Sequence, residues 1–190
     1  SVDIDQANTD GIGEVSFTNV DGTEDLLYAA TSVKTGDVYV NAPEKVKFHC
    51  SHLLSKVKFS FENAYNATNA TIRVKNVKIV DAYKTGSVVL TDATAWSSQA
   101  KADDFVLDFG MATDDQTTDA KEYVEVAFAY GKTYESLNER FLIPGTAPSV
   151  TYNDKNNTDV TVNAYKVTFK VDLLVNDTLV KTYNHTAYAK

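Results

Sequence analysis

The side chains best suited to chemistry in this sequence are His49, Cys50 and His52, joined far along the chain by His185. Imidazole and thiolate are soft ligands, and a tetrahedral zinc site takes about four of them. In an extended segment neighbouring side chains point to opposite sides, so Cys50 and His52 share one side and His49 takes the other. That division makes a poor metal cage. It also separates Cys50 from His49 as nucleophile and base, which must lie within hydrogen-bond reach of each other. No Gly-x-Ser-x-Gly elbow, phosphate-binding loop or dinucleotide fingerprint occurs. No catalytic residue, metal or cofactor is therefore expected. Cys50 is expected to be buried as a small apolar side chain, with His52 hydrogen-bonded at the turn Ser51–Ser55.

Carboxylates are plentiful, and glycoside hydrolysis needs two of them at a fixed separation in a cleft. The adjacent pairs Asp103-Asp104 and Asp114-Asp115 lie instead in polar loop sequence and read as solvated charge. The acidic stretch Gly110–Lys121 offers the loop oxygens that calcium prefers, at a spacing that matches no known calcium loop. Trp96, Tyr134 and Tyr152 stand among polar neighbours and would suit a sugar-binding surface, although isolated exposed aromatics are ordinary. Asn-x-Ser/Thr sequons begin at Asn66, Asn69, Asn156, Asn176 and Asn184, and they carry meaning only in a eukaryotic secreted protein.

Composition narrows the function classes. The chain has 190 residues, is 43% hydrophobic and carries a net charge of −8. Its pI near 4.8 sets it against phosphate backbones and anionic membrane surfaces. No apolar run approaches the ~18–20 residues that span a bilayer. No signal peptide is visible at Ser1, so an exported form is expected to have lost its leader. Cys50 is the only cysteine and cannot form an internal disulfide, which leaves the fold to stand on its apolar core.

The elements that must position these side chains are strands. Tyr165, Val167, Phe169, Val171, Leu173 and Val175 occupy every second position, with Lys166, Thr168, Lys170 and Asp172 between them. Period two predicts a strand with one buried face and one wet face. Asn176-Asp177 then predicts a tight turn, with Leu179–Tyr183 returning as the second arm of a hairpin. Val57, Phe59 and Phe61 form a second inward set, Phe105, Leu107 and Phe109 a third, and Val124, Val126 and Phe128 a fourth. In Ile72–Val80 the parity slips between Val74 and Val77, which predicts a bulge near Asn76. Shorter candidates are Val15–Phe17, Leu26–Ala30, Val38–Val40, Val46–Cys50, Val88–Leu90 and Phe141–Ile143. Ser149–Asp159 is rich in Asn, Asp and Thr and reads, like Gly110–Lys121, as an exposed mobile loop. Many short strands with polar turns predict an all-β antiparallel sandwich. Pro43 marks the best candidate boundary, since proline is excluded from a central strand.

The segment Phe48-His49-Cys50-Ser51-His52-Leu53-Leu54-Ser55-Lys56-Val57-Lys58-Phe59-Ser60-Phe61 resembles a signature of the fimbrillin family of Bacteroidetes. Asp25-Leu26-Leu27-Tyr28-Ala29 upstream and Phe141-Leu142-Ile143-Pro144 downstream are similar to further family segments, in family order. The resemblance implies transthyretin-like β-sandwich domains. It also implies a lipoprotein precursor exported to the outer membrane, and assembly into a fimbria by strand exchange between subunits. Such proteins carry a whole domain before the His-Leu-Leu-Ser-Lys motif and one more strand after the equivalent of Ala187. Residues 1–46 are thus expected to be a remnant or the exit strands of a preceding domain, with residues 47–190 the main sandwich. A sheet edge left incomplete is expected as well.

Val57, Phe59, Phe61, Val167, Phe169 and Val171 are the candidates for the core on which an incoming strand packs. The expected partners are other fimbrial subunits and surface ligands of host or bacterial origin, at the cell surface. Asp177-Thr178-Leu179 resembles a short O-glycosylation motif of exported Bacteroidetes proteins, which makes Thr178 a candidate acceptor. The alternative reading is a surface module that binds a glycan or host ligand.

Overall fold

The computed structural model describes residues 2–5, 13–29, 48–64, 69–90, 95–110, 123–126, 133–136 and 138–190. Among them there is no α-helix, and every strand pairing is antiparallel. The chain is an antiparallel β-sandwich. The expectations on Val38–Val40, Pro43, Asn66, Asp114-Asp115 and Phe128 lie outside the described residues, as does the Gly110–Lys121 loop beyond Gly110.

One sheet is built on β7 (Ala70–Ile79), flanked by β10 (Leu107–Asp108) and β11 (Val124–Val126) on one side and β16 (Tyr165–Val175) on the other. The parity slip in β7 is a bulge. Thr168 faces Lys78 and Lys170 faces Lys75, so β7 carries one residue more than β16 there. Asn76, at φ 55°, takes the left-handed conformation that absorbs it, and Val74 and Val77 both reach the core despite opposite parity.

Strand β16 departs from strict alternation. Val167 is buried and Phe169 and Val171 half-buried, as expected, but Asp172 and Leu174 are buried too. A register shift between Leu173 and Leu174 breaks the period. Asp172, expected in water, is 6% exposed because Lys75 and Thr182 cover it.

The hairpin to β17 (Thr178–Ala189) forms as the sequence predicts, and its return arm is longer than the expected Leu179–Tyr183. Asn176 and Asp177 have φ of 47° and 59°, the left-handed pair of a type I′ turn, whose twist suits a two-residue hairpin.

The second sheet runs β1 (Val2–Asp5), β2 (Glu14–Thr18), β8 (Tyr83–Val89), β9 (Trp96–Lys101). Between the sheets lies the broken run β4 (Ser51–His52), β5 (Ser55–Val57) and β6 (Ser60–Phe61). These pair in turn with β3 (Leu27–Tyr28), β13 (Arg140–Leu142) and β12 (Tyr134–Glu135).

Val57, Phe59 and Phe61 pack on the main core, formed by Val74, Val77, Ile79, Phe105, Leu107, Phe109, Val126 and Val167 among others. Leu53 and Leu54 serve two smaller clusters with Val15, Val88, Phe17 and Ile143. Ser149–Asp159, read as a loop, is largely strand. β14 (Ser149–Asn153) pairs along its whole length with β15 (Asp159–Asn163). Val150, Tyr152, Val160 and Val162 alternate within polar sequence, and composition masked that pattern. Asp154 closes the turn by accepting the N–H groups of Asn156 and Thr158, and these bonds hold its carboxyl below the usual range.

Candidate functional site: a family junction and a free sheet edge

The three segments that resemble the fimbrillin pattern meet in space. Leu27 and Tyr28 pair with His52 and Ser51, and Leu53 N donates to Leu26 O at 2.8 Å. Ser55–Val57 pairs with Arg140–Leu142. His52 Nδ1 lies 2.6 Å from Asp25 Oδ2, so the imidazole ties two motif segments rather than capping its own turn.

Asn19, absent from the sequence-based candidates, locks the junction. It is 1% exposed, its Nδ2 donates to Phe141 O at 2.8 Å, and its Oδ1 accepts from Gly22 N at 2.7 Å. Gly22 O in turn accepts from Phe141 N at 2.8 Å. Gly22 sits at φ 77°, and a Cβ there would come within 2.5 Å of the Leu107 side chain. A buried Asn two residues beyond an apolar alternation, followed by Asp-Gly, is the sequence signal for such a knot.

The other side chains weighed in the sequence take these positions. Cys50, expected to be buried, is exposed. Among the described residues no three His, Cys, Asp or Glu side chains gather around a metal position. Tyr134 is buried in the main core, not displayed for a ligand. Trp96 is half-buried against Phe17, with ring centroids 6.4 Å apart, and donates from Nε1 to Leu53 O at 3.1 Å. Polar sequence neighbours concealed both aromatics, since their spatial neighbours are apolar. Tyr152 stays partly open, stacked on Tyr188 at 4.5 Å above a groove lined also by Asn153, Asp154, Lys155 and Thr186. Asp103 and Asp104 are exposed, and Asp104 Oδ1 lies 3.3 Å from Lys84 Nζ. Thr178 is exposed at the hairpin tip.

The surface feature that could engage another chain is β17. It pairs with β16 alone, and its other edge has no strand partner among the described residues. Eleven of its twelve residues are exposed, so neither face is covered as the rest of the sheet is. Leu179, Val180 and Tyr183 are 54%, 60% and 39% exposed.

Directly paired residues share a face. Val167, Phe169 and Val171, on the core side of β16, stand opposite Ala187, His185 and Tyr183. The His185 ring stacks on Phe169 at 5.3 Å and lies 6.2 Å from Tyr183, and Lys181 Nζ sits 4.9 Å from the Tyr183 ring centroid. These side chains form an aromatic ledge, with Lys181 at one end, on the same face of the sheet as the core side of β16. The opposite face of β17 is a polar ladder of Thr182, Asn184 and Thr186. Of the six candidate groove residues, Phe169 and Val171 border this ledge. Val57, Phe59 and Phe61 approach the same core from the facing strands β5 and β6 and the residues between them.

No curated protein and no solved structure matches the chain significantly. No helix among the described residues is long and apolar enough to cross a membrane. The fimbrillin-like family matches the chain over residues 5–189, a span that takes in the junction and the free edge. The chain therefore belongs to the fimbrillin-like family, the structural subunits of cell-surface fimbriae.

Proposed function

We propose that this chain is a fimbrial building block that joins its neighbours by strand addition at the outer edge of β17, without catalysis. The observation that carries this reading is a twelve-residue strand whose outer edge has no partner among the described residues and whose faces are both exposed. Folded proteins often blunt such an edge with several charges, proline or a cover, and β17 carries one lysine and no proline. Here it holds Leu179, Val180 and Tyr183 in solvent. An added strand would gain a ladder of main-chain hydrogen bonds from the edge and side-chain register from the ledge. In this reading Phe169, Val171, Val167, Val57, Phe59 and Phe61 are the floor beneath the incoming strand. In this reading the protein is exported to the outer membrane as a lipoprotein.

Electron microscopy and light scattering of the purified chain test the reading. The double variant Tyr183→Lys, His185→Lys places two like charges on an exposed edge. It is expected to keep its circular dichroism and thermal midpoint but lose assembly. A folded double variant that assembles as well as the parent would contradict strand addition at β17.

The accessible Thr178, beside Asp177 at the hairpin tip, is proposed as a glycan acceptor. Intact-mass analysis of protein from its native host should show a glycan that Thr178→Ala removes. A second reading, a glycan-binding module, is favoured by the Tyr152–Tyr188 groove alone. A glycan array on monomer would support it through binding that Tyr152→Ala abolishes.

A further inference from the structure

The charge around β17 is unlike that of the molecule. The chain holds 26 acidic and 18 basic residues, yet Thr178–Ala189 contains no carboxylate. Its ionisable side chains are Lys181, Tyr183 and His185 on the ledge and Tyr188 on the opposite face. The paired strand β16 adds Lys166 and Lys170 on that opposite face, and only apolar side chains, with Tyr165, on the ledge face.

Two of the carboxylates nearby are already engaged. Asp172 is held by Lys75 and Thr182. Asp154, in the groove beside Thr186 and Tyr188, accepts from Asn156 N, Thr158 N and Asn156 Nδ2 within its own turn. Asp177 lies in the hairpin turn just before Thr178, at the same end of β17 as Lys181. The free edge thus carries one lysine and no carboxylate on an acidic protein. Lys181 is exposed, with a ring contact to Tyr183 and no carboxylate contact among the described residues.

Resting on the strand-addition reading, we infer that the occupant of this edge is an extended peptide segment with a carboxylate at the position facing Lys181. Two further positions of that segment follow from the alternation of a strand. The residues facing Tyr183 and His185 are apolar, because they lie on the ledge over Phe169 and Val171. The residues between them are hydroxyl- or amide-bearing, because they continue the ladder of Thr182, Asn184 and Thr186. Directly opposite unlike charges attract and like charges repel, and exposed pairs weaken with salt. The segment is therefore selected by charge at one end and by apolar contact along the rest.

The test uses three synthetic nine-residue peptides on the isotope-labelled full chain. Each alternates valine with threonine and carries glutamate, glutamine or lysine at the ledge position nearest Lys181. Amide chemical shifts report the site and the affinity. The glutamate peptide is expected to shift β17 amides and to bind about tenfold more tightly than the lysine peptide. That ratio should collapse in 0.5 M salt and in the surface variant Lys181→Gln. Equal binding of the three peptides at the β17 edge, or discrimination that survives Lys181→Gln, would overturn the charge rule and leave strand addition standing. If no peptide moves a β17 amide, strand addition at this edge fails as well.

Discussion

Single residues carry the two tightest polar knots of this fold. Asn19 satisfies the Phe141 carbonyl on β13 and the Gly22 amide of its own turn from a fully buried position. Asn19→Ala leaves Phe141 O and Gly22 N without that partner, and the loss of buried hydrogen bonds costs about 1–3 kcal/mol. Chemical denaturation should register that loss as a lower midpoint at unchanged slope. Asp172 joins three strands, with Lys75 from β7 and Thr182 from β17. The hydrogen bonds from Lys75 and then Thr182 hold its carboxyl below the usual range. A depressed carboxylate stabilises the fold above its unfolded pKa, about 3.9, and that contribution fades as pH falls through the lower folded value. Asp172→Asn should therefore destabilise at pH 7 by about 1–3 kcal/mol, with the difference from the parent shrinking in acid below pH ~4. Thermal melts of both proteins from pH 7 to pH 2 give the comparison.

Elements differ in how openly the sequence declares them. The β16–β17 hairpin was legible because two causes coincide, a period-two apolar run and an Asn-Asp pair that tolerates positive φ. Glycine adopts that conformation without the Cβ penalty, so Asp177→Gly should raise stability by about 0.5–1 kcal/mol, read as a higher melting midpoint. The bulge at Asn76 was legible from the apolar parity on either side of it. Gly22 behaves in the opposite way to Asp177. Gly22→Ala should lower stability by about 1–3 kcal/mol, since its Cβ meets both a left-handed backbone and the Leu107 side chain.

What was not legible has physical causes. Tyr134 and Trp96 lie in polar sequence and their burial is decided by residues distant in the chain, whereas the β14–β15 hairpin is local and its alternation is masked by polar composition. Asp172 was misplaced for the same reason, because Lys75 lies nearly a hundred positions away. Cys50 was misplaced because strand β4 begins one residue after it.

At the scale of the whole molecule, the free edge of β17 could be anticipated only through the family resemblance. Periodicity names the faces of a strand but not which edge remains unpaired. Among the described residues no strand covers the outer edge of β17, and the family junction ties the facing strands together. A subunit built this way keeps its fold while one edge stays open to a neighbour. The most direct test is hydrogen–deuterium exchange on monomeric and assembled protein, resolved to single amides. Every second amide from Thr178 to Ala189, those directed away from β16, should exchange freely in the monomer and become protected on assembly. Unchanged exchange along β17, with protection appearing elsewhere on the surface, would contradict strand addition at this edge.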